Sequence, residues 1–203
     1  MNKIIKVSLF VLTLLFVVNV NSQDENYKWQ FSFGSNAVDV QADSNTSFTE
    51  FFDVKQNWNL SKSPVSMFMV SKYIGNNLSV GASAAFNSIS NYATNYELQG
   101  VTNDYFSVDA MVKYDLSELI SLRLLDMDFH PFVGVGPGWT IFSEESYITG
   151  NGSIGLDIWL NEAFGLTFMS EFKQNFSGSV LLDEGGTMRW SVMLTFKFDQ
   201  DSE

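Results

Sequence analysis

From Thr187 to Phe198 apolar and polar residues alternate almost without interruption. Met188, Trp190, Val192, Leu194, Phe196 and Phe198 fall on one face, Arg189, Ser191, Thr195 and Lys197 on the other, and Met193 is out of phase. Successive side chains of a strand point to opposite sides, so this pattern predicts a strand with one greasy, aromatic-tipped face and one charged face. The same period recurs upstream. Trp29, Phe31 and Phe33 oppose Gln30, Ser32 and Gly34 in a strand over 28–38, and Leu78 to Phe86 oppose Ser79, Gly81, Ser83 and Asn87 after the turn Gly75-Asn76-Asn77. Phe106, Val108, Ala110, Val112 and Tyr114 oppose Ser107, Asp109 and Lys113. Phe129, Pro131, Val133, Val135, Pro137 and Trp139 oppose His130, Phe132 and three glycines, and the two prolines predict a break or bulge in that strand. Ile154, Leu156, Ile158 and Leu160 oppose Ser153, Gly155 and Asp157; Phe164, Leu166, Phe168 and Phe172 oppose Gly165, Thr167, Glu171 and Lys173. The segment 65–74 is the least regular. Placing Val65, Met67, Met69 and Tyr73 outward, against Ser66 and Lys72, leaves Phe68 and Val70 on the polar face.

These segments predict an all-β fold, an eight-stranded antiparallel transmembrane β-barrel, since ~9–11 tilted residues cross a bilayer and an apolar-out, polar-in alternation suits its wall. Ten strands result if residues 47–60, with Phe48, Phe51, Phe52 and Trp58, add a hairpin. Short turns after the second and sixth strands alternate with long connections after the first, third, fifth and seventh, the asymmetry of a barrel with both termini periplasmic. The connection 115–128 departs from this. Its leucines at 116, 119, 122, 124 and 125 and Ile120 have a spacing that suits one or two helical turns, as a partner-binding helix, a plug of the lower mouth or an interfacial segment. Outward aromatics then form two girdles, Trp29, Tyr73, Tyr114, Phe129, Phe164, Phe196 and Phe198 below and Phe86, Phe106, Trp139, Phe172 and Trp190 above.

Lys3 and Lys6 precede an apolar run from Val7 to Val18 and the small residues Val20 and Ser22, the pattern of a cleaved export signal over residues 1–22, followed by one domain, 23–203. Removing that leader leaves nine basic and 23 acidic residues, a formal charge of −14, which argues against nucleic acid as a partner. With no cysteine, the exported domain is expected to hold together by its sheet alone.

Eight strands enclose a space that side chains fill. The inward face is predicted to carry Lys72, Asp109, Lys113, Asp157, Glu171, Lys173, Arg189 and Lys197, both signs on neighbouring strands, which points to an interior salt-bridge network or, alternatively, to a gate in which pairs exchange. His130, the only histidine, reads as structural, because no nucleophile and acid assemble around it; no catalytic group, cofactor or metal site is expected. The loops are acidic, with Asp43, Glu50, Asp53, Glu97, Asp104, Glu144, Glu145, Asp183 and Glu184 against Lys55 and Lys62. They form either a solvated rim or carboxylates that share divalent cations with lipopolysaccharide phosphates.

Asn36-Ala37-Val38-Asp39, the stretch Val70-Ser71-Lys72-Tyr73-Ile74-Gly75, the run from Pro131 to Trp139 and the closing Leu194-Thr195-Phe196-Lys197-Phe198 together make the chain resemble the N-terminal barrels of OmpA-family outer-membrane proteins, in the form common among Bacteroidota. The resemblance implies an integral outer-membrane protein with outer-membrane lipids as its surroundings. It also implies recognition by the barrel-assembly machinery through a C-terminal aromatic such as Phe198, although Asp199 to Glu203 follow it. Family members often continue into a peptidoglycan-binding domain; the sequence stops at Glu203, so cell-wall tethering is not carried over. The expected work is structural or interactive. The alternatives are a narrow gated channel and a soluble exported carrier of lipocalin type, the latter requiring the apolar face to turn inward.

Overall fold

The computed structural model describes residues 27–40, 58–90, 102–119, 122–124, 127–142, 145–176 and 186–198. The predicted export signal, most of the acidic loops and residues 47–57 lie outside them. The described strands are β1 (Trp29–Val40), β2 (Trp58–Leu60), β3 (Met67–Gly75), β4 (Leu78–Ile89), β5 (Asn103–Asp115), β6 (Leu122–Leu124), β7 (Met127–Phe142), β8 (Glu145–Trp159), β9 (Phe164–Asn175) and β10 (Gly186–Phe198). All pairings are antiparallel, and the order β10-β9-β8-β7-β5-β4-β3-β1 closes through β1 and β10 into an eight-stranded barrel. The closing ladder runs from Trp29 opposite Phe198 to Val40 opposite Thr187, the full length of β1.

β2 is the upper continuation of the second wall strand. Both β2 and β3 pair with the same edge of β1, at Ala37–Asp39 and at Trp29–Gly34, and the chain detours between them. The ladder between β3 and β4 stops near Met67, with one further backbone bond from Phe86 N–H to Ser66 O. Above it the gap is closed by side chains. The Asn87 amide donates to Asn59 O (2.7 Å) and to Asn36 Oδ1 (2.9 Å), and the Asn36 amide donates to Ser66 O (2.9 Å).

The turn between β3 and β4 follows from its residues. Asn76 and Asn77 take φ of 53° and 61°, the positive values that a type I′ hairpin requires at both central positions.

Several expectations need correction. Lys72 and Tyr73 are on the opposite faces from those predicted. Register pairs Lys72 with Trp29 and Val80 on the outer face, where its ammonium sits 5.1 Å from the Trp29 ring centroid, whereas Tyr73 pairs with Ser79 on the inner face. Phe68, Val70 and Ile74 are the exposed apolar residues of β3, and Met67 and Met69 are buried in the lumen. Because this strand is apolar on both sides, hydrophobicity alone could not choose between its faces. The connection after the fifth strand is also much shorter than expected. β7 and β8 remain paired up to Phe142 opposite Glu145, so only residues 143–144 separate them. Between residues 115 and 128, the described part is a turn closed by Leu119 N–H to Leu116 O and the short strand β6 paired back onto β7, in place of helical turns. The break or bulge expected from the two prolines is a break at Pro137. The β5–β7 ladder lapses between Asp109–Gly138 and Val112–Val135 and resumes in the same register.

Close packing across the wall uses Gly155, where a Cβ would lie 2.3 Å from Phe132 Cζ and 2.6 Å from the Phe168 carbonyl oxygen. Phe132 fills the lumen at this level and is 2% exposed. Gly155→Ala is therefore expected to displace the ring and lower stability by ~1–3 kcal/mol, read as a fall in the urea midpoint of the folded band on unboiled gels.

Candidate functional site

The residues that carry chemistry lie inside the barrel, stacked in layers by the two-residue period of the wall. At the end of the barrel where β1 begins and β10 ends, the Lys197 ammonium sits 3.2 Å from the Trp159 ring centroid, and His130 Nδ1 lies 2.9 Å from Asp115 Oδ2 at the mouth. One level up, Lys113 Nζ donates to Asp157 Oδ2 at 2.6 Å. Asp157 Oδ1 accepts from Thr167 Oγ1 (2.5 Å), which meets Thr195 Oγ1 (2.6 Å), which in turn donates to Ser32 Oγ (2.9 Å), a hydroxyl chain crossing three strands.

Above this layer the lumen turns apolar. Met67, Met69, Met169 and Met193 pack with Ala85 and Phe132, and Met111 leans against them. Unbranched thioether side chains fill irregular space well. Two of them also accept hydrogen bonds from the wall, Met67 Sδ from Ser191 Oγ (2.9 Å) and Met111 Sδ from Ser153 Oγ (3.2 Å).

The third layer is the densest in charge. Arg189 Nη2 lies 2.8 Å from Glu171 Oε1 and 3.0 Å from Asp109 Oδ2, and its Nη1 donates to Ser107 Oγ at 2.7 Å. Lys173 Nζ contacts Asp109 Oδ1 and stands 3.6 Å from Glu171 Oε1. Asn151 donates to Asp109 Oδ1 at 2.9 Å, and Thr149 donates to Asn151 at 2.7 Å. Two carboxylates and two cations balance, and Arg189 is 0% exposed. Such burial is tolerable only because each charge meets opposite charge and hydrogen-bond partners, which offset the several kcal/mol cost of desolvating each ion. A fourth layer of Val38, Val40, Ile89, Tyr105, Phe142 and Tyr147 covers the quartet on the loop side.

The structure thus brings Asp109, Glu171, Lys173 and Arg189 into one network and Lys113 with Asp157 into a second; Lys197 is inward over the Trp159 ring, and Lys72 is outside the barrel. Trp29, Phe129, Phe164, Phe196 and Phe198 hold outward register positions at the end where β1 begins and β10 ends, with Tyr114 beside them. Phe86, Phe106, Trp139, Phe172 and Trp190 hold outward positions nearer the loops. Several touch one another: Phe33 stacks on Phe196 (5.9 Å), Phe164 meets Phe196 (5.2 Å), and Phe106 meets Trp139 edge-on (6.4 Å). Sequence reasoning missed the Asn36–Asn59–Asn87 cluster and the methionine layer. Asn36 and Asn87 were visible as inward polar residues, but their meeting depends on where the β3–β4 ladder stops.

No protein-family profile and no curated protein matches the sequence. Among solved structures, the outer-membrane protein OprG of Pseudomonas aeruginosa is similar, with 12% identity, a TM-score of 0.54 and coverage of 88% of this chain and 99% of OprG. The outer-membrane protein AlkL, determined in lipid bilayers, matches at 13% identity and TM-score 0.54, over 92% of this chain and 95% of AlkL. The attachment invasion locus protein Ail of Yersinia pestis has 17% identity and TM-score 0.47, over 85% of this chain and 99% of Ail. At such identities the likeness is one of fold.

Arg189→Leu leaves Asp109 and Glu171 buried with Lys173 as their remaining cation, and is expected to cost ~3–5 kcal/mol. Adding Glu171→Leu should recover part of that loss, so that a double-mutant cycle on urea midpoints gives a favourable coupling between the two positions.

Proposed function

We propose that this chain is an integral outer-membrane β-barrel whose work is structural or interactive, with both ends periplasmic and the lumen closed. The observation that carries this reading is the inverted polarity of the wall. Four of its acids and bases, Asp109, Glu171, Lys173 and Arg189, are at most 2% exposed, while Phe31, Phe68, Phe86, Val135, Ile154 and Trp139 among others are 36–67% exposed. Soluble monomers rarely expose contiguous apolar patches beyond ~300–600 Å². A belt of this kind around the whole barrel, with aromatics toward both rims, has a natural solvent in lipid. It also weighs against a soluble carrier, whose apolar side would face a ligand inside.

Against an open channel, the methionine layer interrupts the polar path between the two charged networks, and the upper apolar layer caps the quartet on the loop side. A hydrophobic constriction of this kind excludes water and hence ions. The lysines and carboxylates of the lumen then serve to balance one another and to pin the strands. Outside the barrel, Asp104 and Glu145 are exposed at the loop end. They support an acidic rim able to share divalent cations with lipopolysaccharide phosphates, while insertion would use the barrel-assembly machinery and the terminal strand ending at Phe198.

Two measurements test this. Fractionation of the host should recover the protein with the outer membrane, migrating faster on gels unboiled than boiled; recovery in the soluble periplasm overturns the reading. Reconstituted in planar bilayers, the protein should leave conductance at baseline. Regular conductance steps would replace the closed lumen with the channel alternative.

A further inference from the structure

The outer wall is concave over β8, β9 and β10. A groove of about 850 Å³ runs from Pro131 and Leu156 toward the loop end, where it finishes at Trp58 and Trp190. That volume falls within the range of pockets that bury a drug-sized ligand, ~300–1,000 Å³. Its depth comes from two outward positions with minimal side chains, Gly152 and Ser170, set among Phe168, Phe172, Ile154 and Trp190. Among the described residues that line it, none is charged. The Ser170 hydroxyl donates toward Met188 Sδ at 3.8 Å, within the lining itself.

The upper end is built by β2, the upper continuation of the second wall strand. Trp58, on the short strand β2, reaches across β1 to stack on Trp190 of β10, with ring centroids 5.2 Å apart. The paired indoles close the groove near the loop-side rim, where such rings sit at headgroup depth.

We propose that this groove seats one acyl chain of an outer-membrane lipid, its ester end toward Trp58 and Trp190. The inference rests on the outer-membrane reading above. Position selects the occupant: the groove lies on the wall that reading gives to lipid, between the two aromatic rims, and it is apolar along its length. A second copy of the barrel is a poorer fit, because a two-fold contact sets the same patch against itself and would close groove over groove around a void. A flexible chain fills the space without such a mismatch.

Gly152 provides a clean test, since a Cβ built there meets nothing within 4 Å. Gly152→Leu therefore fills the groove without straining the wall, and Ser170→Leu fills it from the neighbouring strand. The full chain is reconstituted in dioleoyl phosphatidylcholine vesicles, re-extracted and washed in detergent, and its retained phospholipid is counted by native mass spectrometry. In parallel, vesicles of the same lipid brominated on its acyl chains report contact through quenching of the emission that Trp190→Phe removes. One phospholipid per chain is expected on the unaltered protein, with quenching of the Trp190 emission. Both should fall several-fold in Gly152→Leu and Ser170→Leu, while those variants keep their heat-dependent gel shift. Equal retention in all three proteins overturns the inference. So does a dimer in the unaltered protein that Gly152→Leu dissociates, which would make a second copy the occupant. A chain that neither floats with vesicles nor shows the gel shift defeats the outer-membrane reading itself, whereas one that does both and retains no lipid defeats this inference alone.

Discussion

Closure of β1 onto β10 is the constraint on which the rest depends. An open sheet in hydrocarbon would leave the outer edges of its first and last strands with unpaired N–H and C=O groups, each costing several kcal/mol. Here the first and last wall strands meet along the whole of β1, so no edge remains at the seam. Once the sheet is closed, every side chain must point either to the lumen or to the outside, and the two-residue period becomes a sorting rule. The same rule that exposes Phe31 sends Gln30 and Ser32 into a space with little water.

A narrow closed cylinder then has to be filled. Charged residues alone would demand full pairing at each level, and apolar residues alone would leave the polar wall groups short of partners. The alternation seen here answers both needs. The Lys113–Asp157 pair and the Asp109–Glu171–Lys173–Arg189 quartet are each internally balanced, and each is separated from the other by methionine and phenylalanine, so neither has to be neutralised across the apolar layer. The apolar layers in turn hold water away from the ion pairs and strengthen them, because the attraction between fixed charges grows as the surrounding dielectric falls.

The sequence made much of this legible, for reasons that lie in particular residues. β10 could be read outright, because Arg189 and Lys197 on one side and Phe196 and Phe198 on the other leave no ambiguity of phase. β5 was equally clear through Asp109 and Lys113. β3 was not, because Met67 and Met69 on one face and Phe68 and Val70 on the other are both apolar, and the one charged residue, Lys72, lies at the rim where a long aliphatic stem can keep its ammonium near the interface on the outer side. Which charges would pair was legible only in part. Alternation places Arg189 and Glu171 inward, but their meeting depends on the stagger between strands. Glycine misled the reading of β8, where Gly150 and Gly152 fell in an expected loop and are instead upper rungs of a long hairpin with β7.

The side-chain bridge of Asn36, Asn59 and Asn87 has a consequence for how the chain can vary. Below Met67 the second wall strand is locked to β1 and β4 by continuous ladders, where a slip by one residue would exchange every inward and outward side chain. Above it, amide groups on flexible stems span the same gap and tolerate small differences in spacing. The detour from Ser61 to Ser66 is thereby an expansion joint. Residues can be gained or lost between β1 and β3 without the change being transmitted to the wall beneath, which frees the loop end to diversify on a barrel that stays in register.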